Sequence, residues 1–413
     1  MTLFEFGASL MTVVAMMGWL NAKTLKLPNG VAMLVTGLLA AAMLFILQRL
    51  FPQFSVFRQV TDYIDRIDFG STVTGYMLAF LLFAGAMQVD LSEMRRRWMS
   101  IGALATLGVA ASIVIVGFGL WIIAGGLGLP LSLSWSLVFG ALISPTDPVA
   151  VLAAVRHVKL SKTLQVVLEG EALFNDGVGI VAFTSLLTLA TGAAGISPVH
   201  VVAGIVVQAL GGLAFGMGAS WLVIRILGAF DDFAVEVSLS IALAMGTYAA
   251  AQAMNLSGPI AVVGAGMLFG GTRAREATVG VTGAYLLSFW TLIDEILNAL
   301  LFLLLGVEMI AVPFYAHQLG LLLAAIPLVL IVRFAVVLPW GSYFRFRHAE
   351  WRPTLVLSWG GLHGALSLAL ALSLPAGAER TLILSVTYAV VAFSIAVQGL
   401  TFTPLVKWIQ RAS

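Results

Sequence analysis

The stretch "LEGEALFNDGVGIVAF", residues 168–183, places three carboxylates, Glu169, Glu171 and Asp176, among residues that are otherwise almost all apolar or small. The chain has 413 residues, of which 61% are hydrophobic and only 10% are charged. A soluble domain would carry about a quarter charged residues. The composition therefore predicts a polytopic membrane protein, in which a carboxylate within a spanning segment is costly and marks a functional position.

Runs of about 20 mostly apolar residues are long enough to cross a bilayer as helices. Since no alternating barrel pattern occurs, we expect an all-α fold. The first run lacks a basic leader region, so we expect a spanning helix there and not a cleaved signal peptide. We also expect no soluble regulatory domain after "KWIQRAS". Thirteen spans are predicted, near residues 3–21, 30–50, 69–88, 99–124, 131–154, 163–190, 199–224, 233–254, 258–272, 282–309, 315–343, 353–374 and 381–406.

The distribution of Lys and Arg predicts the orientation. If the N-terminus lies outside, the inner loops and the C-terminus hold sixteen of the 21 basic residues and the outer loops hold four. Such an excess is typical of the cytoplasmic side. The remaining residue, Arg333, lies in the middle of span 11. The compact loops favour the plasma membrane of a prokaryote, with the C-terminus in the cytoplasm.

Composition also excludes several kinds of site. The chain has no cysteine, which excludes disulfides and thiolate metal sites. No basic face recurs, so nucleic-acid binding is not expected, and no motif calls for a cofactor. We find neither an HExxH zinc motif nor a GxSxG elbow, which argues against an intramembrane hydrolase and against an enzyme in general.

Two predicted spans are interrupted at their centres. Span 5 contains "GALISPTDPVAV", in which Thr146 and Asp147 lie between Pro145 and Pro148, and proline disrupts a regular helix. Span 12 contains "SWGGLHGALSLALALSLP", with three glycines around His363. The breaks fall at equivalent positions if spans 1–6 and 8–13 are inverted six-helix repeats. Paired discontinuous helices are the best sequence indication of a transporter binding site.

Asp176 falls at the middle of span 6, at the depth of Asp147, with the amide of Asn175 beside it. Glu171 lies about 140° around the helix from Asp176 and therefore needs another partner. Arg333 is the basic residue left at that depth, and a Glu171–Arg333 pair would satisfy both groups. We interpret this pair as structural.

Four further residues are candidate modulators of the site. Glu169 shares a face with Asp176 and is either a mouth residue or a contact of the inner loop. Asp294 and Glu295 lie near the middle of span 10, where they line the cavity or bond neighbouring helices. His363 has either a packing role or a role in pH sensitivity. By contrast, we expect Glu236 and Glu308, which lie near span ends, to be solvated.

Two carboxylates, Asp147 and Asp176, meet the Thr146 hydroxyl and the Asn175 amide at this depth. We expect these four residues to bind the transported ion, because hard oxygen ligands suit a monovalent cation or a proton. A carboxylate removed from water takes up a proton more readily, so one carboxylate can hold Na⁺ or H⁺ in turn. We therefore predict a secondary antiporter that exchanges Na⁺ or Li⁺ for H⁺. K⁺ in place of Na⁺ is the main alternative. A cation channel would need a continuous pore, and an anion carrier would need unpaired basic groups.

Five segments are similar to signature regions of the monovalent cation:proton antiporter-1 family, the sodium/proton exchangers, here of the prokaryotic type. The resemblance extends over essentially the whole chain. The segments are "FLLFAGAMQVDL", "SPTDPVAV", "EGEALFNDGVGIVAF", "IDEILNALLFLLLGVEM" and "GGLHGALSLALALSLP". The family resemblance implies a thirteen-helix fold with inverted repeats and a homodimer. It also implies that a core domain, residues 91–192 and 313–413, moves against a dimerisation domain, residues 1–90 and 193–312.

The resemblance also assigns roles to residues. It implies that Asp176 is the essential carboxylate for the cation and the proton, and that Asn175 is the Asn of the Asn-Asp motif. Thr146 and Asp147 match the unwound crossing of the family, and Glu171 with Arg333 matches a structural ion pair. Members with this motif exchange one cation for one proton without net charge transfer, so we expect electroneutral exchange.

Three positions depart from the family pattern. Some relatives carry Glu where this chain has Ala84, some carry Ser where it has Ala172, and many carry Arg where it has His363. The resemblance therefore implies a smaller set of protein ligands here, completed by water or by the backbone.

Overall fold

The computed structural model of the chain describes residues 3–25, 29–50, 77–147, 160–192, 198–227, 232–277, 281–308, 315–343 and 351–411. Within these ranges the secondary structure is helical, apart from one isolated β-bridge. The all-α prediction is confirmed. The helices are α1 Leu3–Leu20, α2 Asn29–Leu50, α3 Leu78–Gln88, α4 Leu91–Gly126, α5 Leu133–Ile143, α6 Lys162–Ala190, α7 Pro198–Leu227, α8 Phe233–Ala253, α9 Gly258–Ala277, α10 Val281–Glu308, α11 Leu319–Tyr343, α12 Trp351–Trp359, α13 Ala365–Leu372 and α14 Ala378–Arg411.

Each predicted span overlaps at least one of these helices, and span 12 overlaps two, α12 and α13. In the described part of the chain, seven helices are long and apolar enough to cross a membrane: α4, α6, α7, α8, α10, α11 and α14. Helices α3 and α5, of 11 residues each, are shorter, and residues 51–76 and 148–159 lie outside the described ranges. The protein is thus a multi-span membrane protein, whereas the count of thirteen stays a prediction.

Helix α4 begins eight residues earlier than predicted, at Leu91 instead of residue 99. The cause is a helix cap: the Asp90 carboxylate accepts hydrogen bonds from the backbone N–H groups of Ser92 and Glu93 at 3.0 and 3.3 Å. The Ser92 hydroxyl and the Lys162 ammonium also bind this carboxylate and hold its pKa well below its usual range. The Asp90–Lys162 contact, 3.0 Å between Oδ2 and Nζ, joins the beginnings of α4 and α6.

Two hydrophobic clusters hold the helices together at two different depths. In α6, Leu164, Val166, Val167, Leu168 and Leu173 belong to one cluster, and Ala182 with Phe183 belongs to the other. In α14 the order is reversed: buried apolar residues between Leu382 and Ile395 belong to the cluster of Phe183, and Phe402, Val406 and Ile409 belong to the cluster of Leu164. The polar residues at the centre of α6 therefore lie in a layer between two apolar cores.

Glycines allow the closest approaches between helices. A Cβ atom on Gly216 of α7 would lie 1.8 Å from the Ala261 carbonyl oxygen of α9, and one on Gly140 of α5 would lie 2.5 Å from the Ile113 carbonyl oxygen of α4. Small residues that bring backbones together are typical of helix packing in membranes, where lipid supplies no hydrophobic force between helices.

Candidate functional site

The two interrupted spans cross each other at their breaks. Helix α5 ends at Ile143, and the chain then continues without helix through Asp147. Helix α12 ends at Trp359 and α13 begins at Ala365, so the break in span 12 is confirmed. The Asp147 backbone N–H donates to the Leu362 carbonyl at 2.7 Å, which forms an isolated antiparallel bridge. Each break thereby satisfies a backbone group of the other; the rest of span 5 lies outside the described residues.

Gly364 leaves the space that the Asp147 side chain occupies. A Cβ atom on Gly364 would lie 2.2 Å from Asp147 Oδ2. Gly364 is also the N-cap residue of α13 and offers no side chain to cap it. The Asp147 carboxylate thus lies against the positive end of a helix, where negative charge is favoured.

Helix α6 is tied to this crossing by Asn175. The Asn175 amide donates from Nδ2 to Thr146 Oγ1 at 2.8 Å, and both side chains are buried. A Cβ atom on Gly179, one turn further along α6, would lie 2.4 Å from Pro145 Cγ. Only glycine at this position lets the broken segment of span 5 lie so close to α6.

A cavity of about 160 Å³ opens beside the crossing, and a single water needs only about 15 Å³. It brings together side chains from α3, α6, α10 and α13 with the break in span 5. Its carboxylates are Asp147, Glu169, Asp176 and Asp294, and its other polar side chains are Gln88, Asn298 and Ser367. Four carboxylates around one small space form a site for positive charge.

Glu171 faces away from this cavity and forms a buried ion pair with Arg333. Glu171 is 2% exposed and Arg333 is 8% exposed. Arg333 Nη2 donates to Glu171 Oε2 at 2.9 Å and to the Leu357 carbonyl at 3.3 Å, and Nη1 donates to Glu171 Oε1. A Cβ atom on Gly361 would lie 2.3 Å from Arg333 Nε. The pair therefore links α6, α11 and α12 next to the crossing.

The candidate modulators occupy different places. Glu169 lines the cavity and accepts a hydrogen bond from Gln165 Nε2 at 2.8 Å. Asp294 also lines it and accepts a hydrogen bond from Asn298 Nδ2 at 2.9 Å. Glu295 is exposed and is not part of the cavity wall.

His363 is buried behind the crossing and does not line the cavity. Its backbone N–H donates to Ser394 Oγ at 2.9 Å, and its Nδ1 lies 3.4 Å from the Pro145 carbonyl oxygen. The expectation that Glu236 is solvated is wrong: its side chain is buried on the same face of α8 as Ser240 and Leu243, and α8 packs against α3, α7, α9 and α10. The side chain of Glu308 lies outside the described residues.

Three polar residues of the cavity wall, Gln88, Asn298 and Ser367, were not predicted. Asn298 follows Asp294 by four residues, so the helical spacing alone places the two on one face. The signal for Ser367 is its position just after the glycine-rich break. Gln88 lies within the segment "FLLFAGAMQVDL", but no charge or spacing in that segment singles it out. It reaches the cavity because α3 packs against α9 and α10.

Comparison with known proteins identifies the family. The family described as "Sodium/hydrogen exchanger, transmembrane" matches residues 11–408. The chain belongs to the sodium/hydrogen exchanger family. Among curated relatives of this family, the Na⁺/H⁺ antiporter NhaP of Pseudomonas aeruginosa is 37% identical over 98% of this chain and 96% of its own length. The Na⁺/H⁺ antiporter NhaH of Halobacillus dabanensis is 33% identical over 94% and 93%.

The fold agrees with this membership. The solved structure of the sodium proton antiporter MjNhaP1 from Methanocaldococcus jannaschii at pH 8 superposes with a TM-score of 0.76. The match covers 98% of this chain and 98% of that structure at 20% identity. The exchanger fold is therefore shared, although four in five aligned residues differ.

We expect that removing one partner of the Glu171–Arg333 pair strongly lowers the stability of the fold. Arg333→Ala leaves a carboxylate buried without its counter-charge, and we expect it to lower the free energy of unfolding by about 3–5 kcal/mol. The double variant Glu171→Leu/Arg333→Met removes both charges and should recover a large part of that loss. The measurement is thermal unfolding in detergent.

The surface pair Arg96–Glu93 supplies the control, because its arginine is 75% exposed. Arg96→Ala should unfold near the wild-type temperature, since exposed pairs contribute little. The structural role of the buried pair is refuted if Arg333→Ala unfolds at the same temperature as Arg96→Ala.

Proposed function

We propose that the protein exchanges Na⁺ or Li⁺ for H⁺ across the membrane by alternating access, with Asp176 as the carboxylate that holds either ion. The observation that carries this proposal is the position of Asp176. It lines the cavity beside Asp147, at the crossing of two broken helices and between two apolar cores. Relatives that match over nearly their whole length are named Na⁺/H⁺ antiporters, which supports the choice of ions.

Competition for one carboxylate is sufficient for coupled exchange. Carboxylate oxygens are hard ligands that bind small cations and protons. We assume that the core domain changes its orientation only when the site holds an ion. A cation carried from one side of the membrane is then exchanged for a proton carried from the other side. Charge inside the membrane is costly, so an empty, ionised site is the form least able to move.

The neighbours of Asp176 have supporting roles in this proposal. Asp147 supplies a second carboxylate to the cavity and lies against the beginning of α13. Thr146 and Asn175, the other two expected cation ligands, bind each other and are not part of the cavity wall, so their role in this proposal is to hold α6 at the crossing. Glu171 and Arg333 keep the adjacent helices together without facing the cation. Glu169 and Asp294 modulate entry to the cavity, and His363 acts through the backbone of Pro145.

The division into two moving units is also a proposal. Glycine contacts with backbone atoms of other helices occur within the proposed units, such as Gly216 with Ala261 in the dimerisation domain and Gly140 with Ile113 in the core. Across the boundary, Gly177 of α6 instead meets the side chain of Ile260, at 2.3 Å from its ideal Cβ position. Side-chain contacts rearrange more easily than backbone contacts, which suits a core that slides.

The remaining parts of the proposal follow from the family and the composition. We propose a homodimer in the plasma membrane of a prokaryote, with the N-terminus outside and the C-terminus in the cytoplasm. The excess of basic residues in the predicted inner loops supports this orientation. One cation is exchanged for one proton, because one carboxylate switches between the two.

The first test is exchange in proteoliposomes with an acidic interior and a pH-sensitive dye. Li⁺ or Na⁺ should release the quenched dye at lower concentrations than K⁺ or Rb⁺, and the apparent KM for Na⁺ should rise as the pH is lowered. Asp176→Asn should abolish the signal, because an amide carries no charge to exchange. Asp232→Asn is the matched control, since Asn also caps α8 from this exposed position. Wild-type exchange by Asp176→Asn would exclude the proposal.

The second test concerns charge. One-for-one exchange moves no net charge, so the rate should not change when a K⁺ gradient and valinomycin impose a membrane potential of either sign. The measurement is the initial rate of dye recovery at each potential. A rate that follows the potential would mean that more than one proton accompanies each cation.

A further inference from the structure

Ser367 carries a buried hydroxyl that finds no hydrogen-bond partner in the described part of the chain. It lies in α13, is 1% exposed and lines the cavity that also contains Asp147 and Asp176. Its Oγ has no hydrogen-bond partner among the residues that the structure describes. Buried polar groups are nearly always hydrogen-bonded, so this exception needs an explanation.

The break in span 12 explains why the usual partner is missing. Hydroxyls inside helices commonly donate to the carbonyl one turn earlier, as Thr387 does to Ile383 at 2.7 Å. Ser367 is the third residue of α13, so the residue four positions earlier is His363, which lies in the non-helical break. The hydroxyl therefore remains available to the cavity.

The cavity wall holds two other neutral side-chain oxygens, the amide oxygens of Gln88 and Asn298, whose NH₂ groups donate to the Ala84 carbonyl and to Asp294. Ala172 contributes only a methyl group to the wall. A serine hydroxyl rotates freely, so it can turn its lone pairs toward a cation or donate its hydrogen to a carboxylate after the cation leaves. It adds a ligand without adding charge.

We propose that Ser367 is a specificity-determining ligand, whose Oγ coordinates the cation held by Asp176. This inference rests on the proposed function and deepens it. The interaction between a cation and an oxygen dipole grows as their separation falls. The hydroxyl therefore favours small ions, and its contribution decreases from Li⁺ through Na⁺ to K⁺. The proton has no need of this ligand.

Ser367→Ala tests the ligand by kinetics. The apparent KM for Na⁺ should rise about five- to tenfold, as expected for one lost oxygen contact, while Vmax stays within about twofold. The KM for Li⁺ should rise more than that for Na⁺. A loss that is merely structural would lower Vmax for every ion alike.

Ser358→Ala is the matched control. Ser358 lies on α12, the other half of the same broken span, is 7% exposed and likewise has no partner for its Oγ among the described residues. It does not line the cavity, so its removal should leave the KM for Na⁺ unchanged. The inference is overturned if Ser367→Ala keeps the wild-type KM, or if both variants raise it equally.

A second experiment tests, without a transport assay, whether position 367 faces the cation site. The chain has no cysteine, so Ser367→Cys introduces a single thiol. A small cationic methanethiosulfonate should modify this thiol in detergent-solubilised protein, and Na⁺ should slow the modification. The thiol of Ser358→Cys should stay unmodified. An inert thiol at 367, or one whose modification ignores Na⁺, would overturn the inference.

The two experiments separate the inference from the proposed function. If the wild type exchanges Na⁺ for H⁺ but Ser367→Ala has an unchanged KM, only the role of Ser367 is lost. If the wild type exchanges nothing while Na⁺ still protects the thiol at 367, the antiport proposal is lost and the cation contact of Ser367 stands.

Discussion

The hydrogen bond from the Asp147 backbone N–H to the Leu362 carbonyl, 2.7 Å long, resolves a conflict on which the rest of this fold depends. A membrane requires every backbone polar group to be satisfied, and broken helices violate that requirement unless protein covers the break. Here two breaks lie against each other, so the backbone N–H of Asp147 in one break finds its acceptor in the Leu362 carbonyl of the other. The glycines at 179 and 364 make the contact sterically possible, because side chains there would collide with Pro145 and Asp147.

The polar layer that results has two parts, which differ in whether a basic side chain balances the carboxylates. On one side of α6, Glu171 and Arg333 neutralise each other in a buried pair that also holds the Leu357 carbonyl. On the other side, carboxylates face a cavity in which no basic side chain from the described residues takes part. The separation follows from the helix itself, since residues five positions apart point in different directions. Within this layer of α6, the carboxylate that faces a basic side chain is Glu171, whereas Asp176 faces the cavity.

Much of this arrangement is encoded locally and was predicted from the sequence. Prolines on both sides of Thr146 and Asp147 indicate the first break, and three glycines around His363 indicate the second. The hydropathy pattern places Asp176 at the middle of span 6, at the same depth in the membrane as Asp147. Other features depend on packing between distant segments. The early beginning of α4 arises from a cap at Asp90 and a contact with Lys162, 72 residues away in sequence. That Ser367 has no partner for its hydroxyl among the described residues is visible only once the boundary of α13 is known.

The most direct test of the central claim, that a cation and a proton take the same carboxylate in turn, is the number of protons released when Na⁺ binds. Isothermal titration in two buffers with different ionisation enthalpies measures it in detergent, with no membrane and no gradient. The account predicts close to one proton released per Na⁺ bound by the wild-type protein at a pH where the site is protonated. Na⁺ binding of normal affinity with no release of protons at any pH would contradict it.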